Sequence, residues 1–175
     1  YLVMIENTPV TLCTKKDSPF KSLKDFIEFA KKNPGKITVG GVGKNSGPHL
    51  AALQFQKLAG VKLTYAPFQG TGQLKPAIMG GHIDAAFTNS PAAVEMAPIG
   101  IGTLAVGTEK RMSQLPDVPT FAEAGVMKYY PRIDRGIFAP KGMPKELADK
   151  IGKKLFEIVS GKEVQDKLTE GGFVP

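Results

Sequence analysis

The feature that most constrains the fold is a recurring order of elements: an apolar strand, a turn rich in glycine or small polar residues, and a helix. The pattern predicts strands over 9–14, 36–41, 61–68, 82–89 and 102–108, and helices over 18–35, 48–60, 73–81 and 90–95. Strands separated by helices of about ten residues pair in parallel through right-handed crossovers. The sequence therefore predicts a three-layer α/β sandwich.

The C-terminal part of the chain departs from this order. Residues 129–144 are rich in proline and glycine, so we expect them to cross away from the sheet. Residues 144–172 have the period of an amphipathic helical pair, with an apolar stripe made of Leu147, Ile151, Leu155 and Ile158. This part is expected to pack separately from the sheet.

Charge and residue usage exclude several classes of protein. The formal net charge is +7, but the lysines are scattered, no run of five basic residues occurs and tryptophan is absent. Nucleic acid is therefore not an expected partner, and the charge is better suited to attracting small anions. One cysteine excludes an internal disulfide, and His49 and His82 have no ligand-spaced partner. We predict neither a metal site nor a cofactor.

Three predicted strands end in turns without bulky apolar residues at the start of the next helix. They are GVGKNSG at 41–47, FQGTG at 68–72 and FTNSP at 87–91. Turns that follow parallel strands meet at one edge of the sheet, where ligands of open α/β sheets bind. Helix N-termini with free N–H groups favour anions. The three turns therefore predict an anion site, although the glycines can also be explained as ordinary turn residues.

Neither common phosphate motif is complete in the first turn. A P-loop requires GxxxxGK[ST], which does not occur, and the dinucleotide fingerprint GxGxxG fails at Ser46. An enzyme acting on a small acid through Ser46, His49 and Asp84 is the alternative. However, His49 follows Ser46 by three residues and is not a separately anchored base. A carboxylate is the favoured anion, and catalysis is not expected.

The same residues resemble a known family. The stretches NPGKITVGGVGKNSGPHLAALQFQKLAGVKLTYAPFQGTG, GGHIDAAFTN, LPDVPTFAEAG and GIFAPKGMPKEL are similar to the extracytoplasmic solute receptors of tripartite tricarboxylate transporters, called Bug or TctC-type proteins. The similarity covers almost the whole chain. It implies a type II periplasmic binding protein, which closes over a small carboxylate in the periplasm and delivers it to membrane subunits of the transporter.

The resemblance also implies a division into lobes. Residues 8–128 would form the second ligand-binding lobe, and 129–175 would be the returning C-terminal segment of the first. A two-domain protein is usually longer than this chain, so the N-terminal part of the first lobe is expected to be absent. The apolar face of the terminal helices would then be exposed and could cause self-association. A fragment that binds no ligand is a further alternative.

Carried over to this sequence, the family's binding loops give a set of candidate ligand residues in the second lobe: Asn45, Ser46, Gly47, Gln69, Gly70, Thr71, Asn89 and Ser90. Asp84 would support a strand end. The family usually has aromatic residues where this chain has Asp134 and Arg135. Arg135 is open to two interpretations, a clamp for a ligand carboxylate or a surface residue of the hinge.

Overall fold

The computed structural model describes residues 1–126 and 129–174. Lys128 and Pro175, at which two of the predicted lobe boundaries fall, lie outside the described residues. The first part contains β1 (Val3–Lys15), α1 (Leu23–Lys32), β2 (Thr38–Val42), α2 (Gly47–Ala59), β3 (Thr64–Phe68), α3 (Thr71–Met79), β4 (Ala85–Asn89), α4 (Ser90–Met96) and β5 (Ile101–Val106). After it come β6 (Arg132–Ile137), α5 (Lys145–Val159) and α6 (Lys162–Glu170).

The strands form one mixed sheet with the order β3-β2-β4-β1-β5. Strand β2 pairs in parallel with β3 and with β4. Strand β1 pairs antiparallel with β4 and β5 through its second half, and with β6 through its first half. The ribbon of β1 and β6 therefore extends beyond the sheet, and Val174 joins it by bridging Asn7.

The parallel pairing predicted for the strand at 9–14 is wrong. This strand, β1, is antiparallel to both of its neighbours in the sheet. It ends at the edge where β2 and β4 begin, and residues 16–37 supply a loop as well as α1 before β2 starts. After β1 the chain therefore enters β2 at the same edge of the sheet at which β1 ended. The spacing between strands in the sequence does not reveal this reversal of direction.

Several local predictions are confirmed. Ser22 caps α1 by accepting the Asp25 N–H at 3.1 Å, as its place before the helix predicts. Pro48 lies in the first turn of α2, and Gly60 ends that helix in the left-handed conformation at φ 66°. The helical pair predicted over 144–172 is present as α5 and α6. The strand β6 lies in the segment 129–144, for which the sequence predicted a crossing away from the sheet and no particular element.

Two apolar clusters cover the two faces of the sheet. One includes Phe26 of α1 and Phe55 of α2, and the other includes Leu74 of α3 and Met96 of α4. All four side chains are fully buried. The fold is thus a mixed α/β sandwich with helices on both faces. Among the described residues, no helix has the length and apolar character needed to cross a membrane.

Candidate functional site

The three predicted turns lie at one edge of the sheet. Because β2, β3 and β4 are mutually parallel, their carboxyl ends share this edge. Each strand is followed within a few residues by a helix start, at Gly47, Thr71 and Ser90. The turns contain no acidic residue, and Lys44 is their single charged side chain. This edge therefore presents helix N-termini without a negative charge to oppose an anion.

The first turn is held by its own side chains. Asn45 has a left-handed backbone at φ 60°, and Ser46 is the N-cap of α2. The Ser46 hydroxyl donates to the Val42 carbonyl at 2.5 Å and lies 3.0 Å from the Gly43 carbonyl, while its oxygen accepts the His49 N–H. Ser46 thus shapes the turn, and the Gly47 N–H beside it is a donor available to an anion.

Gly47 lies against the ribbon of β1 and β6. A Cβ at this position would approach Ile133 Cγ1 of β6 to 2.7 Å, closer than carbon atoms can pack. The Gly47 N–H has no hydrogen bond to another described residue, as expected for the first position of a helix. The start of α2 therefore has a free N–H donor and also lies in direct contact with β6.

His49 and Tyr65 support this turn from the side. The Asn45 N–H donates to His49 Nδ1 at 3.0 Å, which fixes Nδ1 as the unprotonated nitrogen. The His49 ring packs on Tyr65 with centroids 4.3 Å apart, and the Tyr65 hydroxyl donates to the Gly43 carbonyl at 3.2 Å. Burial raises the pKa of Tyr65, against the opposing effect of its hydrogen bond with Ser46. The sequence analysis did not predict a role for Tyr65 at this turn. Its position in the alternating pattern of β3 is the one sequence signal for such a role.

Asp84 lies at the other edge of the sheet. Its carboxylate accepts the Thr38 N–H at 2.8 Å, at the start of β2, and its carbonyl accepts the Thr14 hydroxyl at 2.8 Å. Ser46, in contrast, follows the end of β2. Asp84 therefore ties strand starts together and cannot orient His49, so Ser46, His49 and Asp84 do not assemble as a catalytic group.

The second turn has open donors. The Gln69 N–H donates to Gln73 Oε1 at 3.3 Å. This backbone donor of a predicted ligand residue is therefore already hydrogen-bonded. Gly70 is an extended N-cap without a side-chain hydrogen bond. Thr71 is half-buried, and its hydroxyl makes no hydrogen bond to another residue that the structure describes. Thr71 is thus the side chain in this turn that remains available as a hydroxyl donor.

The third turn separates its two candidate residues. Asn89 caps α4 by accepting the Ala92 N–H at 3.0 Å, which leaves its amide NH₂ as a donor. Ser90 is hydrogen-bonded within the protein. Its side chain is fully buried, and the hydroxyl donates to the Gly172 carbonyl at 2.6 Å. Ser90 therefore ties α4 to the C-terminal tail, and its expected contact with a ligand stays a prediction.

Arg135 lies in the ribbon of β1 and β6, and its charge is paired with a carboxylate. It forms an ion pair with Glu6 across β1 and β6 and donates to the Thr8 hydroxyl at 2.5 Å. Glu6 is 4% exposed, and its second oxygen accepts the Thr8 hydroxyl. Arg135 and Asn89 line one concavity of about 330 Å³. The sequence did not predict Glu6 or Thr8, because the Glu6–Arg135 pair joins positions 129 residues apart.

The described residues contain no group of three or more His, Cys, Asp or Glu side chains placed to hold a metal ion. What the edge offers is a set of neutral donors: the N–H groups at the starts of α2 and α3, the Thr71 hydroxyl and the Asn89 amide. Donors of this kind bind a carboxylate by charge-assisted hydrogen bonds. They supply neither an activated nucleophile nor a base.

Comparison with known proteins agrees with this chemistry. A family model described as "Tripartite tricarboxylate transporter family receptor" matches residues 1–175. The UPF0065 protein in the gbd 5' region of Cupriavidus necator is 30% identical over 152 residues, which are 86% of this chain and 46% of that protein. The chain spans about half the length of the curated relatives that it matches.

Solved structures show the same fold. Rpa4515 of R. palustris with adipate superposes with a TM-score of 0.90 at 29% identity, over 99% of this chain and 58% of that one. MatC of Rhodopseudomonas palustris with bound malate gives a TM-score of 0.86 at 26% identity, over 99% and 59%. The periplasmic binding protein BugD gives a TM-score of 0.85 at 28% identity, over 99% and 58%.

Proposed function

Because this chain belongs to the tripartite tricarboxylate transporter receptor family, we propose that it is the ligand-binding part of a solute receptor for a small carboxylate. The ligand is a dicarboxylate, a tricarboxylate or an acidic amino acid. The observation that carries the proposal is the common edge of β2, β3 and β4, where three helix starts meet without an acidic side chain. The adipate and malate bound to two relatives are of the same chemical class.

Recognition rests on backbone donors and a few side chains. In this proposal one ligand carboxylate lies between the starts of α2 and α3, near the Gly47 N–H and the Thr71 hydroxyl. The Asn89 amide donates from the third turn. Aligned N–H dipoles and a net positive chain favour the anion, and neutral donors avoid the desolvation of a buried cation.

Residues 8–128 act as one lobe in this proposal, and 129–175 as the return of the chain into the other. The ribbon of β1 and β6 then connects the lobes, and the Glu6–Arg135 pair stiffens it. Arg135 serves the hinge through Nη1, which contacts Glu6 and Thr8. Its side chain is 44% exposed, so its other guanidinium donors stay open to a ligand carboxylate. The receptor works in the periplasm, the compartment named for BugD, and delivers its ligand to membrane subunits of the transporter.

The proposed receptor has no turnover. Asp84 and Ser46 lie at opposite edges of the sheet, and the Ser46 hydroxyl already donates to Val42. His49→Ala would therefore weaken ligand binding through loss of the turn's support, without abolishing a reaction. Conversion of any tested carboxylate by the unaltered chain, monitored by NMR, would favour the enzyme instead.

A thermal-shift screen tests the receptor function. The 175-residue chain is heated with adipate, malate, citrate or glutamate, and with phosphate, ATP and adipamide as controls. A ligand that binds the native state raises the Tm, by about 2.7 kcal/mol of added stability at 100 times its Kd. We expect one carboxylate to raise the Tm while adipamide does not. A chain that responds to no carboxylate is the non-binding fragment, and a response to ATP alone contradicts the proposal.

A further inference from the structure

The concavity of Asn89 and Arg135 adjoins the candidate carboxylate site. It has a volume of about 330 Å³ and lies between the third turn, the ribbon of β1 and β6 and the C-terminal tail. Asn89 and Pro91 come from the turn, Glu6 and Arg135 from the ribbon, and Phe173 from the tail. Because Asn89 belongs both to the third turn and to this wall, a ligand at the sheet edge can extend into the concavity.

Arg135 lies on the face of β6 that adjoins the start of α2. Side chains alternate across a strand, so Ile133 and Arg135 share a face of β6 and lie roughly 7 Å apart. A Cβ at Gly47 would approach the Ile133 side chain to 2.7 Å, which places the free Gly47 N–H beside this face. A small molecule that binds at Gly47 with one end can therefore reach Arg135 with the other.

The Arg135 guanidinium has donors to spare. Its Nη1 contacts the Glu6 carboxylate and the Thr8 hydroxyl, whereas Nε and Nη2 make no hydrogen bond to another described residue. A guanidinium carries five N–H donors and can bind a carboxylate through two of them. Since the buried Glu6 already holds Arg135 in place, little side-chain freedom is lost when a ligand binds.

The rest of the wall restricts what can lie between two carboxylates. Leu168 and Phe173 are apolar. Glu6 is the one carboxylate described along this wall, and both of its oxygens already accept hydrogen bonds. The side-chain oxygen of Asn89 accepts the Ala92 N–H. An α-ammonium group would therefore meet no free side-chain acceptor here, and a third carboxylate would lie against apolar groups, which is unfavourable.

We propose that Arg135 selects an unsubstituted linear dicarboxylate. One carboxylate binds at the starts of α2 and α3, and the other binds Arg135 through Nε and Nη2. The apolar chain between them lies along the apolar side of the concavity. This inference rests on the proposed receptor function and narrows its ligand class, from carboxylates in general to dicarboxylates with an apolar chain.

Three matched ligands test the selection by isothermal titration calorimetry of the 175-residue chain. Hexanoate lacks the second carboxylate of adipate, and 2-aminoadipate adds an ammonium group to it. We expect adipate to bind at least about tenfold more tightly than either, as for one charge-assisted contact. Equal binding of hexanoate, or of 2-aminoadipate, would overturn the selection and leave a carboxylate receptor. Binding of none of the three would overturn the receptor function as well.

A double variant assigns the selection to Arg135. Changing Arg135 alone would leave the buried Glu6 unpaired, so Glu6→Gln and Arg135→Gln are combined. We expect the adipate affinity to fall at least about tenfold, while hexanoate stays within about twofold. Arg132→Gln is the matched control, because it removes the same charge from the opposite face of β6. A preference for adipate that persists in the double variant, or is lost equally in Arg132→Gln, would contradict the proposal.

Arg135→Lys gives the same answer if the double variant does not fold. Lysine keeps a positive charge beside Glu6, but its single nitrogen lacks the planar fork that binds two carboxylates at once. The preference for adipate over hexanoate should therefore fall severalfold in this variant. An unchanged preference would show that the second carboxylate binds elsewhere.

Discussion

Thr71 is the residue whose side chain is best placed to report a ligand at the sheet edge. It begins α3, is half-buried and has a hydroxyl without a hydrogen bond to another described residue. Thr71→Leu replaces this donor by a larger apolar group at the helix start. We expect the Kd for a bound dicarboxylate to rise at least about tenfold, the effect of losing one hydrogen bond to a charged group. Isothermal titration calorimetry measures it.

Thr71→Ser is the matched control for this change, because it keeps the hydroxyl and reduces the volume. It should bind within a few-fold of the unaltered chain. Both variants should keep the Tm of the free protein, since Thr71 is half-buried and its hydroxyl makes no hydrogen bond to another described residue. Equal affinity in Thr71→Leu would remove the second turn from the site.

Ser90 provides a residue-scale test of the alternative role found in the structure. Ser90→Ala leaves the Gly172 carbonyl without its buried donor. We expect the free energy of unfolding to fall by about 1–3 kcal/mol, measured by urea denaturation. Ser113→Ala, at an exposed serine, should change it by less than about 0.5 kcal/mol. A stable Ser90→Ala that loses ligand binding would instead place this hydroxyl in the site.

At the scale of elements, the Glu123 carboxylate holds the turn 120–125 together. The Thr120 N–H donates to Glu123 at 2.8 Å, and the Glu123 N–H donates to the Thr120 hydroxyl at 3.1 Å. This is the reciprocal pattern of a capping box. The bond from the Thr120 N–H, together with Arg111, lowers the pKa of Glu123 below its ordinary value of 4.5. The charged form is therefore the one that the fold favours.

Because the pKa of Glu123 is lower in the folded than in the unfolded chain, its carboxylate stabilises the fold at pH values above the unfolded-state pKa. This stability is lost as the pH falls through the folded-state pKa. Glu123→Gln keeps the hydrogen-bonding shape but removes the charge. We expect its Tm to be below that of the unaltered chain at pH 7, with the gap closing as the pH falls below about 4.5. Thermal unfolding from pH 7 to pH 3 measures the gap. A gap that is constant with pH would contradict this assignment.

The elements also show what the sequence predicts and what it does not. Strand ends, turn glycines and caps are local, so Ser22, Gly60 and the three turns could be located from spacing and residue type. The direction of β1 depends on which strands become its neighbours, and this is decided by tertiary packing. The strand β6 has little apolar alternation and forms because it pairs with β1.

The site was predictable to a similar extent. The sequence located the turns that carry Asn45, Thr71 and Asn89, because small polar residues before helices are a local signal. The contact of these residues with a ligand stays a prediction. It could not assign the hydroxyl of Ser90 or the charge of Arg135, because their partners Gly172 and Glu6 are 82 and 129 residues away. The positions of the turns could be read from the sequence, whereas the hydrogen-bond partners of each side chain could be assigned only from the folded structure.

For the whole molecule, α5 and the segment beyond β6 carry a group of exposed apolar residues. No side chain of α5 is buried. Phe156 is 64% exposed, Ile158 is 52% exposed, and Phe138 beyond β6 is 69% exposed. Surfaces of this kind usually bind another protein surface. We expect the 175-residue chain to self-associate at micromolar concentration through this face.

Light scattering coupled to size-exclusion chromatography measures this association. Phe156→Glu should shift the population towards monomer, because it places a charge in the apolar face. Leu58→Glu, at a leucine of α2 that is 52% exposed, is the matched control and should leave the mass distribution unchanged. A monomer at all concentrations, or dissociation caused equally by both variants, would contradict this expectation.

The most direct test of carboxylate binding at the three turns is a titration of the ¹⁵N-labelled chain with the dicarboxylate that raises the Tm. Saturable amide shifts are expected at Gly47, Gly70, Thr71 and Asn89, because these groups lie at the shared edge of β2, β3 and β4. The same titration of Thr71→Leu should show weaker binding. Shifts that avoid all three turns while the dicarboxylate still binds would contradict the proposed site.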